Sequence, residues 1–310
     1  MRANASRRRA VLLAAAGVLI AALGLPQSGL AADVRAGSVG GGTDAQQPSG
    51  GSGQSDESSG GAGQGPLGKV RLLRTTVTPG TVFLFGDPVT FEFEVDGFSG
   101  AVDLTIDVVS RRTREVVKRI PADDVEANVP AVVQWAGRTD RKGRVKPGTY
   151  RFQVHAREGK LDGDSAEGSR TVGYHTYKFP VRGQHQYGDG IGAGRGHRGQ
   201  DVFADCDTPL EAAWAGRVQY KGFQAGGAGY YLVIDGKRTG KDFVYMHLRE
   251  GATVEQGETV RTGQRIGEVG ESGNASGCHL HFELWSAPGW YEGGRFLNPA
   301  PALKRWDRYS

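Results

Sequence analysis

Val89-Thr90-Phe91-Glu92-Phe93-Glu94-Val95 alternates apolar and polar residues without a break. A period of two puts Phe91, Phe93 and Val95 on one face of a strand and the glutamates on the other. Outward from this stretch the pattern recurs. Val102, Leu104, Ile106 and Val108 alternate in the next run, and Tyr150, Phe152 and Val154 do so further on. Turn signals separate the runs at Asp96-Gly97, Ser99-Gly100 and Pro147-Gly148. Short period-two runs spaced this way predict an antiparallel β-sandwich over residues 69–180. His155 falls on the strand face opposite Tyr150, Phe152 and Val154 and is read as a surface residue. Residues 157–180 are polar and Gly-containing and read as a loop plus a crossing strand.

From about Val181 a second domain begins, predicted over 181–310. It is Gly-dense and shows few helical periodicities. Tyr230-Tyr-Leu-Val-Ile234, Phe243-Val-Tyr-Met-His247 and His279-Leu-His-Phe-Glu-Leu284 read as strands. Val254, Gly257, Val260, Gly263, Ile266 and Gly267 mark tight hairpins and turns. The expected fold class is therefore all-β: a sandwich followed by a mostly antiparallel domain.

Four histidines and an aspartate lie between positions 197 and 281: His197, Asp201, His247, His279 and His281. Residues two apart on a strand point to the same face, roughly 7 Å apart. One imidazole of His279-Leu280-His281 can therefore bind a metal while its neighbour leans into the same pocket. Leu280 and Phe282 then point into the core. His197 and Asp201 would be about 13 Å apart on a straight strand, too far for one ion. A helix is disfavoured by Gly192, Gly194, Gly196 and Gly199. The remaining reading is a bent loop carrying His197 and a strand starting near Asp201, with Gly199 permitting the bend. Two nitrogens and a carboxylate with an open fourth position describe a catalytic zinc site. Taken singly each piece is weak, since a lone His-x-His is more often a surface pair. Their combination in one Gly-rich β domain gives them weight.

The second domain resembles the LytM/lysostaphin-type zinc metallopeptidases, the M23 peptidase family. The matching stretches are His197-Arg-Gly-Gln-Asp201-Val, Thr208-Pro-Leu-Glu-Ala-Ala with Gly216-Arg-Val218, Tyr245-Met-His-Leu248, Val254 to Gly267, and Gly270-Glu-Ser-Gly-Asn-Ala-Ser-Gly-Cys-His-Leu-His-Phe-Glu283. The resemblance implies a LytM-like duplicated hybrid motif and one Zn2+ per chain. It implies that His197, Asp201 and His281 are the metal ligands and that His247 and His279 are the catalytic pair. It further implies a zinc-bound water as nucleophile and bacterial peptidoglycan peptides as substrate. The sequence departs from the family at Cys278, where Pro often precedes the His-x-His. Cys206 follows Asp201 by five residues and Cys278 precedes His281 by three, so a shared metal would draw them together as a disulfide. Two free thiols or a Cys ligand are the alternatives. In the first domain, Trp135 to Gly143 through Pro147-Gly-Thr-Tyr150 resembles the penultimate hairpin of the immunoglobulin-like domain of flagellar hook-capping proteins. That resemblance implies a fold and no chemistry.

No Glu of a His-Glu-x-x-His helix is present, so His247 or His279 is expected to act as general base, and the pair can also stabilise the oxyanion. Which does which is open at this point. Glu283 shares the face of His279 and His281 and is either an acceptor for an imidazole N–H or a plain structural residue. Tyr245, two before His247, is expected either to line the groove on the face of His247 or to sit in the core.

The chain has 310 residues and a formal charge of +4. Arg2, Arg7, Arg8 and Arg9 supply four positive charges in an acid-free segment 1–32, and without them 34 basic residues face 34 acidic ones. Such a balance offers no electrostatic case for nucleic acid. Those arginines precede the uncharged run Ala10 to Ala32, which contains Pro26 and ends in small residues. It reads as a secretory signal peptide, with an uncleaved membrane anchor as the alternative. Two cysteines fit an exported, envelope-located or secreted protein with one disulfide. Residues 33–68 hold twelve Gly, six Ser and no aromatic, the composition of a flexible linker. Two other functions compete with the peptidase: a non-catalytic LytM-like module that binds or activates another wall hydrolase, and a lipoyl-type carrier. A carrier needs a hairpin-tip Lys, usually after Met, but Met246 is followed by His247. His175 and His185 receive no role, and the sandwich is equally readable as spacer, wall-binding module or cap.

Overall fold

A computed structural model describes residues 70–156, 167–194 and 196–310. The predicted signal peptide (1–32) and linker (33–68) lie outside the described residues, as do residues 157–166 of the stretch 157–180 read as a loop plus a crossing strand. The regular structure of the described residues is nearly all strand, with a single short helix, in agreement with the expected all-β class.

The first part holds β1 (Arg71–Thr78), β2 (Thr81–Phe83), β3 (Val89–Asp96), β4 (Ala101–Ser110), β5 (Val116–Glu126), β6 (Ala131–Trp135), β7 (Gly148–Ala156) and β8 (Glu167–His175). They form a three-stranded sheet, β1-β3-β6, and a five-stranded sheet, β2-β8-β7-β4-β5. All pairings are antiparallel except β2 with β8. The alternation of β3 is visible in its burial: Val89, Phe91, Phe93 and Val95 are buried and the residues between them are not. Phe91 stacks on Phe152 of the opposing sheet at 4.7 Å, and Trp135 meets Tyr150 edge-on at 5.1 Å. These rings close the two sheets into a sandwich. His155 is exposed beside Asp107, as its face predicts. The stretch from Trp135 to Tyr150 crosses from β6 in one sheet to β7 in the other. On the way it forms a tight hairpin, with Arg138 and Arg144 bridged antiparallel and the Val145 N–H donating to the Gly137 carbonyl at 3.0 Å.

The second part holds β9 (Gln186–Tyr187), β10 (Gln200–Phe203), β11 (Pro209–Glu211), β12 (Gly216–Gln224), β13 (Gly229–Gly236), β14 (Lys241–Leu248), β15 (Thr259–Val260), β16 (Arg265–Glu268), β17 (His279–Ser286), β18 (Phe296–Leu297) and α1 (Ala300–Asp307). One antiparallel sheet runs β15-β12-β13-β14-β17-β10-β9, with β18 also on β17, and β11 pairs with β16 apart from it. Phe243, Tyr245, Leu280, Phe282 and Leu284 bury one face of the large sheet with Leu210, Ile266, Leu303 and Trp306. Val244, Met246 and Trp285 emerge on the other face with Trp290. The core of β14 and β17 therefore lies on one side and leaves the second side free to carry chemistry.

The two parts meet at the turn after β2. Phe85 packs edge-on against Trp214 at 5.6 Å. Thr262 donates its hydroxyl to the Leu84 carbonyl at 2.7 Å, and Arg261 pairs with Asp87 at 2.6 Å. His175, at the end of β8, stacks flat on Tyr309 with centroids 3.7 Å apart. Burial lowers the His175 pKa below its ordinary value. A depressed histidine means that the unfolded chain binds the proton more readily. Stability is then full above the unfolded pKa of about 6.5 and falls as the pH drops through and below it. Urea midpoints at pH 7.5 and 5.5 should differ less in His175→Phe than in the wild type, because the variant keeps the stack and loses the titration. An unchanged pH dependence would remove His175 as a contributor.

Candidate active site

The pairing of β10 with β17 sets Asp201 opposite His281 and Phe203 opposite His279. Leu280 and Phe282 are fully buried on the core side, which turns His279, His281 and Glu283 to the other face. His197 reaches the same place from the loop before β10. That loop bends at Gly192 (φ 84°) and Gly196 (φ 74°), and Gly199 is not among the left-handed residues. Gly199 is needed for closeness as well. A Cβ there would stand 2.5 Å from the Phe282 carbonyl oxygen and 2.7 Å from His281 Nε2. The chain also bends at Gly199, as the sequence reading has it, and its missing side chain makes room for a ligand ring.

Asp201 Oδ1 lies 3.0 Å from His197 Nε2 and 2.8 Å from His281 Nδ1. One ligand atom from each of the three residues falls within 4.8 Å of the others, a group that could hold a metal ion. The far nitrogens are occupied. His197 Nδ1 is 2.9 Å from the Gly190 carbonyl oxygen, and His281 Nε2 is 3.1 Å from Glu283 Oε1. Both partners accept, so the far nitrogens carry the protons and the near nitrogens can turn lone pairs inward. Two imidazoles and a carboxylate arranged this way fit zinc. Burial alone would lower the His281 pKa, but its hydrogen bonds to Asp201 and Glu283 hold it at about 9. Burial likewise opposes ionisation of Asp201, yet its contacts with His281, His197 and His279 keep its pKa low. The pocket is thus built to keep a cation between carboxylates. Glu283 is buried, and its second oxygen accepts the Trp285 indole N–H at 2.6 Å. Of its two sequence readings, the imidazole acceptor describes what it touches.

His247 arrives by a backbone irregularity. It has φ 62°, and β13 and β14 lose register there: Leu232 faces Tyr245 while Tyr230 faces Leu248. Met246 and His247 together oppose the single Tyr231, which is a β-bulge. The bulge sends both side chains toward the cleft and returns Leu248 to the core. Tyr245, before the bulge and in step with Phe243, is fully buried on the opposite face, its hydroxyl accepting the Ala213 N–H at 2.9 Å. The face shared by Tyr245 and His247 in a regular strand does not exist. His247 Nδ1 lies 2.8 Å from the Ser272 carbonyl oxygen, and His279 Nδ1 lies 2.9 Å from that of Gly277. Each ring thus keeps Nε2 for the cleft, and the two centroids are 4.7 Å apart. Burial lowers the His247 pKa to about 4, with the neighbouring His279 and His281 adding to the effect. The anchoring carbonyls of Gly190, Ser272 and Gly277 are backbone atoms and leave no mark in the sequence.

All five residues line one cleft of about 560 Å³, together with Phe203, Gln224, Trp290 and Tyr291. Every described lining residue lies between Asp189 and Tyr291, so none of the described sandwich residues caps it. His185 sits outside it, 3.2 Å from Asp307. Cys206, past the end of β10, is bonded to Cys278, just before β17, with Cα atoms 5.3 Å apart. Neither thiol is free, and neither is a ligand in the group above.

Residues 195–299 match the family model described as peptidase family M23, so this segment is an M23 peptidase family domain. An uncharacterized metalloprotease of Haemophilus influenzae is 38% identical over 107 residues, 34% of this chain and 20% of that protein. The L-Ala--D-Glu endopeptidase of Bacillus subtilis is 31% identical over 158 residues, 46% of this chain and 47% of that protein. The chain thus spans a fifth to about half the length of these two curated relatives. The catalytic domain of lysostaphin from Staphylococcus simulans is 28% identical, with a TM-score of 0.36, covering 39% of this chain and 92% of that domain.

Glu283→Gln should weaken zinc binding by about 10–100-fold, read by competition with a chromophoric chelator. Glutamine offers one oxygen to two donors, His281 and Trp285. Turning its amide toward His281 would force the proton onto the inward nitrogen. Unchanged affinity would exclude that role. Replacing both cysteines with Ser should cost about 4 kcal/mol of unfolding free energy in the chain-entropy model. Chemical denaturation of the oxidised wild type and the double variant measures it.

Proposed function

We propose that this protein is a zinc metalloendopeptidase that hydrolyses peptide bonds in the stem or cross-bridge peptides of bacterial peptidoglycan. The observation that carries the proposal is the convergence of five side chains on one cleft. His197, Asp201 and His281 turn ligand atoms toward one another, and His247 and His279 keep Nε2 free beside them. The M23 domain and the name of the Bacillus subtilis relative support a wall peptide as substrate.

A zinc ion held by His197, Asp201 and His281 would supply Lewis acidity to the scissile carbonyl and lower the pKa of water toward neutrality. The chain's own residues do the rest. Glu283 and the Gly190 carbonyl fix the two ligand rings. Ser272 and Gly277 hold His247 and His279 with Nε2 facing the substrate. One of the pair takes a proton at Nε2 from the attacking water, and the Nε2–H so formed can donate to the tetrahedral oxyanion and then to the leaving amine. We further assign residues 1–32 to export, 33–68 to a tether, 69–180 to a non-catalytic module and 181–310 to the peptidase. This order suits work in a cell-wall mesh.

Purified sacculi incubated with the wild type should release new peptide fragments by mass spectrometry. His247→Ala and His279→Ala should each lower kcat/KM by about 10²–10⁴-fold while zinc content stays near one ion per chain. Identical fragment yields from wild type and both variants would overturn the proposal.

A further inference from the structure

The segment after β17 folds back as a short loop from Ala287 to Gly294, and it is pinned from several sides. The Trp290 N–H donates to the buried Asp242 carboxylate at 2.7 Å. The N–H groups of Glu292 and Gly294 reach the Gly289 carbonyl at 3.2 and 3.0 Å. The Glu292 carboxylate accepts Gln219 Nε2 at 3.1 Å and the Tyr220 hydroxyl. At the apex of this locked loop stands Tyr291. It is 69% exposed, more than any other described large hydrophobic, and has φ 54°. A left-handed backbone is strained for a bulky aromatic residue, and strain held in place by rigid surroundings concentrates at functional sites. The ring is backed by Trp290 at 4.4 Å and Trp285 at 6.1 Å. Core packing does not explain an exposed, buttressed and strained tyrosine.

Tyr291 lines the same cleft as the metal-binding group. The strand sets the spacing. Trp285, against which Tyr291 packs, lies four residues beyond His281 on the same face of β17, about 13 Å away. An extended peptide covers that span in about four residues. In peptidoglycan the stem peptide hangs from a sugar, so a stem cut four residues along places the sugar at this distance. A tyrosine offers a sugar an apolar face and a hydroxyl edge. We infer that Tyr291, backed by Trp290 and Trp285, is a platform for the sugar ring that carries the substrate peptide. The inference rests on the peptidoglycan reading of the cleft.

The test uses the full chain inactivated by His279→Ala, with calorimetric titration of a disaccharide-tetrapeptide and of the same tetrapeptide freed from its sugar. Adding Tyr291→Ala should weaken the disaccharide-tetrapeptide roughly tenfold and the free peptide less than twofold. Tyr291→Phe should keep most of the affinity. Tyr291→Gly, which removes the ring and suits the left-handed backbone, should bind like the alanine variant while melting no lower than its parent. Equal losses on both ligands, or a loss on neither, would overturn the assignment. Digestion of sacculi by the wild type is read separately. Sugar-dependent binding without cleavage would sink the peptidase reading and leave Tyr291 as a sugar platform, while cleavage without sugar-dependent binding would do the reverse.

Discussion

The antiparallel pairing of β10 with β17 is the constraint on which the site depends. It sets Asp201 against His281 and leaves the direction of both side chains to the pleat. A slip of one residue would turn every side chain of a strand to the other face. Such a slip would exchange His279, His281 and Glu283 for Leu280, Phe282 and Leu284. The full burial of Leu280 and Phe282 penalises it heavily, since each large apolar side chain returned to water costs about 1.5–3 kcal/mol. The hydrophobic core and the functional group are thus two faces of one register.

Electrostatics explains why so many polar groups persist where water is scarce. Asp201 and Glu283 are buried carboxylates, and His281 lies between them. A buried charge is tolerated only when it is paired and hydrogen-bonded. A proton on His281 offsets one of the two negative charges. A divalent cation at the inward nitrogens would offset both, so proton and metal compete for one place. His247 lies just outside this carboxylate frame, and there burial and the neighbouring imidazoles prevail, which explains why its pKa moves the opposite way.

Much of this was legible before any coordinates. The period-two runs mark the strands of the sandwich, and Leu280 and Phe282 mark the buried side of β17. The five polar residues stand out by type and spacing. What strict alternation could not reveal was its own interruption. His247 reaches the cleft through a bulge, a backbone event that no side chain encodes by itself, while Tyr245 keeps the core face that regular alternation with Phe243 gives it. Gly199 is recognisable as a glycine at a bend, but a second reason for it lies in a ring approaching from a strand some eighty residues later, visible only in space. The carbonyls that orient the imidazoles have no sequence signature at all. The turn residues after β6 mark the hairpin at Arg138 and Arg144, but a turn-rich stretch looks the same whether the chain then returns to its own sheet or passes to the facing one.

The bond between Cys206 and Cys278 has a topological consequence. It encloses a loop with a sequence separation of 72, which contains β11 to β16 and the strand carrying His247. The three residues of the metal-binding group and His279 all lie outside that loop, on the two segments that the bond joins. A proteolytic nick anywhere inside the loop would therefore leave β10 and β17 parts of one covalent molecule. Such a nick would interrupt the polypeptide without separating its ligands, and the harm would fall first on the placement of His247.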